Sequence, residues 1–269
     1  MTRTASLGMY DFPGTAAALD ELWRHIAGNL RKAGIAGVPD ELDRDRPLGD
    51  IWRDSGLLLG ETCGYPLRTA LTGQVRVVAT PLRAVPGAEG AWHRSFVIVG
   101  ADADFASLAS LRGGRLALNG HDSNTGMNLL RRTLAPIAGG RPFFKSATVT
   151  GAHAASLAAV AAGTADVAAI DCVSFWFLAR ERPELIGRVR ILAETEPSPG
   201  LPLITRGAAG DGEVEMIRDG LAAAARAPEL AEARARLGLA GFAVLAEDAY
   251  DIVMRYEAEA VALGYPRLA

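Results

Sequence analysis

From Arg115 to Met127 the chain reads Arg-Leu-Ala-Leu-Asn-Gly-His-Asp-Ser-Asn-Thr-Gly-Met, a short apolar segment running into small polar residues. Ser123 and Thr125 bring hydroxyl donors, and Gly126 lets a ligand come close to the backbone. If this polar stretch opens a helix, unpaired backbone N–H groups and the positive end of the helix dipole face the same place. That is the chemistry of anion binding. Ser, Asn and Thr are also ordinary capping residues, so helix capping is the competing account of the same residue types. No Gly-Lys-Ser/Thr follows, which excludes a Walker phosphate loop.

A second stretch, Val149-Thr-Gly-Ala-His153-Ala-Ala-Ser-Leu157, again joins a strand pattern to a helix pattern, with Gly151 at the bend. His153 falls in the first helical turn, where the dipole lowers an imidazole pKa and a neutral ring can donate to an oxyanion. Asp171 ends the apolar run Val167–Ile170. A buried carboxylate there needs a partner, either a ligand amine or hydroxyl or the start of the helix that follows near Ser174. No nucleophile elbow, no His-Glu-x-x-His and no cofactor fingerprint accompanies these residues, so neither a catalytic group nor a metal or cofactor is expected.

The elements that must position these groups alternate. A strand near Ala5–Tyr10 leads to a helix over Thr15–Ala33, with apolar residues at Leu19, Leu22, Ile26 and Leu30. Leu57–Gly60 and Val75–Ala79 are short apolar runs of the kind found in buried parallel strands, and Pro66–Leu71 suits a helical turn. Then come Ser95–Val99 as a strand, Leu108–Leu111 as a turn, Arg115–Asn119 as a strand and Thr125–Leu134 as a helix. Ala147–Val149 and Val167–Ile170 follow as strands, with Ala154–Ala162 and Ser174–Arg180 as helices. This βαβα order predicts an α/β fold with a parallel sheet. Such sheets bind ligands at the carboxyl edge of their strands, where all three polar segments would lie. Ile191–Ala193 and Leu203–Thr205 are predicted strands, and everything from Glu213 onward is predicted helical, ending in an amphipathic helix over Ala246–Leu263. These last helices are expected to be scaffold on the first lobe.

Bulk composition agrees with a folded α/β chain and excludes several other classes. Hydrophobic residues make up 49% and charged residues 22% of 269 residues, which argues against disorder. The 28 basic and 31 acidic residues leave a net charge of -3, with no cationic footprint for nucleic acid or anionic lipid. No apolar run reaches the roughly 18 residues of a membrane span. Cys63 and Cys172 fall in segments assigned to different lobes and are expected to be free thiols. No signal-peptide pattern precedes the first strand.

The order of these segments resembles the phosphonate-binding periplasmic protein family, the substrate-binding proteins of phosphate, phosphite and phosphonate ABC transporters. The resemblance rests on Trp92–Val99, Leu108–Arg115, Asp122–Gly126, Thr150–His153, Ala159–Val167 and Asp171. It implies the type 2 periplasmic-binding-protein fold, in which two α/β lobes are joined by two hinge strands and the ligand sits in the interlobe cleft. The lobes would comprise residues 1–94 with 206–269, and residues 95–205. By the same resemblance Ser123, Asn124, Thr125 and His153 would hold the oxyanion, Tyr10 and Tyr65 would line the first-lobe wall, and Asp171 would face the ligand's other end. Asn124 departs from the family pattern, which more often has a small hydroxyl residue there. Partly buried packing is the competing role for both tyrosines. The expected partners are a small anionic ligand and an ABC permease, with a monomeric, periplasmic protein. A cytoplasmic ligand-sensing module, or an enzyme with His153 as base and Asp171 as its partner, are the alternatives from other classes.

Overall fold

Residues 3–268 are described by the computed structural model; Met1, Thr2 and Ala269, at the ends of the expected first lobe, lie outside the described residues. The strands are β1 Thr4–Ser6, β2 Leu57–Glu61, β3 Val75–Arg83, β4 Ala88–Glu89, β5 Trp92–His93, β6 Ser95–Gly100 and β7 Arg115–Leu118. They continue with β8 Ser146–Val149, β9 Val167–Asp171, β10 Val189–Glu194, β11 Ser198–Pro199, β12 Leu203–Arg206 and β13 Leu239–Ala243. The α-helices are α1 Ala16–Lys32, α2 Leu48–Trp52, α3 Gly64–Arg68, α4 Leu129–Ala138 and α5 His153–Ala161. After them come α6 Cys172–Glu181, α7 Pro183–Ile186, α8 Asp211–Arg226, α9 Ala231–Arg236 and α10 Asp251–Ala262.

The chain forms two compact units. The first comprises Met1–Ala84, Glu89–Ala91 and Pro199–Ala249; the second comprises Val85–Ala88, Trp92–Ser198 and Tyr250–Ala269. In the first unit the sheet order is β1-β2-β12-β3-β13. β1 and β2 are parallel, whereas β12 runs antiparallel to both β2 and β3, and β13 antiparallel to β3. Every residue of β2 is buried, Glu61 included, which accounts for the apolar run Leu57–Gly60. Helix α1 packs against α8 and α9 through Leu19, Leu22, Trp23, Ile26 and Leu30, all buried in the unit's core.

In the second unit the order is β10-β6-β9-β7-β8. β7 is parallel to β8 and β9, while β6 is antiparallel to β9 and β10. The expected parallel sheet is therefore mixed. Parallel neighbours need a crossover within the unit, and helices α4 and α5 supply it for β7, β8 and β9. Strand β6, where the chain enters the unit, runs the other way, and β10, antiparallel to β6, runs in the direction of β7, β8 and β9. Strand β8 is an exposed edge, with all four residues accessible.

Three further expectations fail. The tail after Glu213 is not wholly helical: Gly238 takes a left-handed φ of 57°, ends α9 and leads into β13. The first expected strand stops at Ser6, and Gly8–Tyr10 is a 3-10 turn. Helix α10 belongs to the second unit, where it packs on α4. There Asn128 Nδ2 donates to Val253 O at 2.9 Å. The passages from one unit to the other also depart from 94/95 and 205/206, and Trp92–Arg94 now belongs with the second unit. Cys63 and Cys172 are both buried, and neither is in a disulfide. Among the described residues no helix is long and apolar enough to cross a membrane.

Candidate functional site

Strand register brings the polar segments of the second unit to one edge. Leu118 pairs with Val149 in β7 and β8, and Ala117 pairs with Ala168 in β9. The loops leaving these three parallel strands therefore emerge side by side, at the carboxyl edge where open α/β sheets bind ligands. Thr150 N donates to Leu118 O at 2.7 Å and ties two of these loops together.

The first loop ends at Ser123, whose hydroxyl accepts from Gly126 N at 2.9 Å. Ser123 is thus the helix cap. The turn it starts, Asn124–Asn128, is π-helical and continues directly into α4. Asn128 N bonds to Ser123 O at 3.0 Å, five residues back, and π-turns of this kind recur at functional sites. The Asn124 carboxamide is engaged on both sides: Nδ2 donates to Ser198 Oγ at 2.9 Å, and Oδ1 accepts from Asn128 Nδ2 at 3.0 Å. Thr125 is held from behind, its carbonyl accepting from Ser95 Oγ at 2.8 Å.

The second loop turns at Gly151, whose φ of 87° lies in the left-handed region that favours glycine. It places His153 at the first position of α5. Thr125 Oγ1 and His153 Nε2 stand 3.1 Å apart. Two residues 28 apart in sequence, at the heads of two helices, thus meet in one hydrogen bond. Burial pushes the His153 imidazole below the usual histidine value, against the opposing pull of the Asp171 carboxylate. The ring is neutral at neutral pH, a donor or acceptor rather than a fixed cation.

Asp171 closes β9 and is 1% exposed. Its Oδ1 accepts from Ser174 N at 2.8 Å, so it caps α6, and its Oδ2 lies 3.4 Å from His93 Nδ1. Burial first, and the Asp171 carboxylate second, push the neighbouring Cys172 thiol up. A thiol so shifted stays protonated and is no nucleophile. Sequence reasoning missed His93, Ser95, Ser198 and Asn119. His93 stands two residues before Ser95, and only the antiparallel pairing of Ser95 with Asp171 brings it to the carboxylate. No local pattern announces such a contact.

Tyr10 and Tyr65 belong to the first unit. Tyr10 is 3% exposed, and the Arg83 guanidinium lies 4.9 Å from its ring centroid. Arg83 also donates to Leu237 O at 2.8 Å and lies 3.4 Å from the buried Glu61 carboxylate. Tyr65 is half-buried on α3. Among the described residues no group of His, Cys, Asp and Glu could hold a metal ion.

Residues 60–250 match the family model described as ABC transporter, phosphonate, periplasmic substrate-binding protein. No curated protein sequence matches the chain. Among solved structures, a binding protein component of an ABC phosphonate transporter (PA3383) from Pseudomonas aeruginosa is similar, with 17% identity and a TM-score of 0.77. That match covers 98% of this chain and 88% of the other. PhnD1 from Prochlorococcus marinus, solved in complex with methylphosphonate, is 14% identical with a TM-score of 0.74, covering 96% and 97%. The alkanesulfonate-binding protein SsuA from Xanthomonas axonopodis pv. citri, bound to MOPS, is 17% identical with a TM-score of 0.64, covering 100% and 95%. At these identities the likeness is one of fold, that of the type 2 periplasmic binding proteins.

Proposed function

The chain belongs to the family of periplasmic substrate-binding proteins of phosphonate ABC transporters, and we propose that the solute it binds is a small phosphorus oxyanion: phosphate, phosphite or an alkylphosphonate. The observation that carries this reading is the 3.1 Å pairing of Thr125 and His153 at the heads of two helices. An oxyanion placed there receives hydroxyl, imidazole and backbone N–H donors without needing a fixed positive charge. Ser123 and Asn124 support the turn more than they reach for a ligand, since their side chains already cap Gly126 and bridge Ser198 to Asn128. Asp171, through its contact with His93 and the start of α6, stiffens the floor beneath His153. For Tyr10 and Tyr65, contact with the ligand is what the family resemblance implies. The protein acts as a monomer that hands its ligand to a permease. The enzyme reading has no support in a family of binding proteins.

The test is calorimetric titration with phosphate, phosphite and methylphosphonate. At least one should bind, and Thr125→Ala and His153→Ala should each weaken it by about 1–3 kcal/mol, the usual loss when a hydrogen bond to a charged group is removed. Circular dichroism should show both variants folded. Failure of all three anions to bind, or full affinity in both variants, would sink the reading.

A further inference from the structure

Asn119 is the first residue after β7, and its side-chain oxygen is a buried acceptor with no hydrogen-bond partner among the described residues. Its location is narrowly set. A Cβ added to Gly126 would sit 1.8 Å from Asn119 Oδ1 and 3.2 Å from His153 Cε1. The carboxamide therefore fills the space a side chain at 126 would need, and any larger residue there would have to displace it. Oδ1, Gly126 and the His153 ring share one small volume, and His153 Nε2 carries it on to Thr125 Oγ1.

An amide oxygen accepts and never donates, and leaving one buried and unmade is costly. An acceptor set among anion-binding donors repels a bare oxyanion oxygen and welcomes one that carries a proton. We propose that Asn119 Oδ1 accepts a hydrogen bond from an O–H of the bound ligand. The site then selects the singly protonated form of a phosphorus oxyanion and disfavours sulfonates, which have no O–H to give. This inference rests on the reading that Thr125 and His153 hold the oxyanion, and it adds what decides between two anions of nearly equal shape.

The experiment compares methylphosphonate with methanesulfonate at a pH below the second ionisation of the phosphonate, where both are monoanions and only the phosphonate keeps an O–H. The wild-type protein should prefer methylphosphonate by at least about tenfold, the effect of making one such hydrogen bond against leaving its acceptor unpaired. Asn119→Leu should bring the two affinities within about twofold of each other. Asn119→Asp, which keeps an acceptor at the same place, should retain or widen the preference, and it remains decisive should the leucine variant fail to fold. A wild-type protein that binds the phosphonate without preference, an undiminished preference in N119L, or a preference lost in folded N119D each overturns the assignment of Asn119. If neither anion nor phosphate nor phosphite binds the wild-type protein, the oxyanion reading itself has failed and the inference falls with it.

Discussion

Around Trp23 the first unit encloses Ile26, Leu30, Leu58, Val78 and Ile217, all fully buried. Around Asn128 the second unit buries a carboxamide, a guanidinium and hydroxyls. Asn128 Nδ2 donates to Asn124 Oδ1 and Val253 O, and its Oδ1 accepts from Arg131 Nη2 at 2.7 Å. Both interiors order the chain, yet by forces of different character. Apolar burial has no direction, so the first core specifies that α1 must lie on the sheet and leaves individual groups some latitude. A satisfied polar network has direction at every bond. The one around Asn128 fixes Asn124, hence the π-turn, hence the placing of Thr125 against His153.

The difference predicts that stability and binding separate in one unit and travel together in the other. The largest expected effect is at Trp23. Trp23→Ala should cost about 3–5 kcal/mol in denaturant unfolding, the usual loss for a buried large aromatic, while the folded fraction binds its oxyanion with unchanged affinity. Weakened binding there would show that the two interiors are not independent. Asn128→Ala should cost less, about 2–3 kcal/mol, from the partners it leaves unpaired. In this variant titration should also show weaker binding, because Asn124 loses its anchor. Full affinity in N128A would break the link drawn between the network and the site.

The smallest effect concerns pH. His153 has a folded pKa below its ordinary value, so as pH falls through about 6.5 the unfolded chain takes up a proton that the native state refuses. Unfolded molecules then bind more protons than folded ones, and stability falls. His153→Gln should remove part of that decline in thermal melts between pH 7.5 and pH 5.5, conditions set by the ordinary histidine pKa of about 6.5. An identical slope in the variant would assign the pH dependence to other groups.

Much of the architecture was legible before any coordinates. The alternation of short apolar runs with helical spacing placed β2, β6, β7, β9, α1 and α5 to within a few residues, because side-chain period reports local geometry directly. The polar loops before the π-turn and α5 were recognisable as helix starts for the same reason. Beyond that point local pattern falls silent. The amphipathic spacing of α10 says that one face is buried but not against what, and α10 packs on α4 rather than on the first unit's scaffold. Leu239–Ala243 sits in an Ala- and Leu-rich stretch that suits a helix, and only Gly238 hinted that the chain would turn and pair with β3.

The sequence by itself determined the kinds of element, the two polar helix starts and the absence of catalytic fingerprints, since each follows from neighbours along the chain. Tertiary structure alone decided that Thr125 meets His153, that His93 lies beside Asp171, and that Asn119 keeps an unpaired oxygen next to Gly126. Those facts depend on strand register and on helices packing across long sequence separations. A one-residue slip in register would send the strand residues His93 and Asp171 to the opposite face of the sheet.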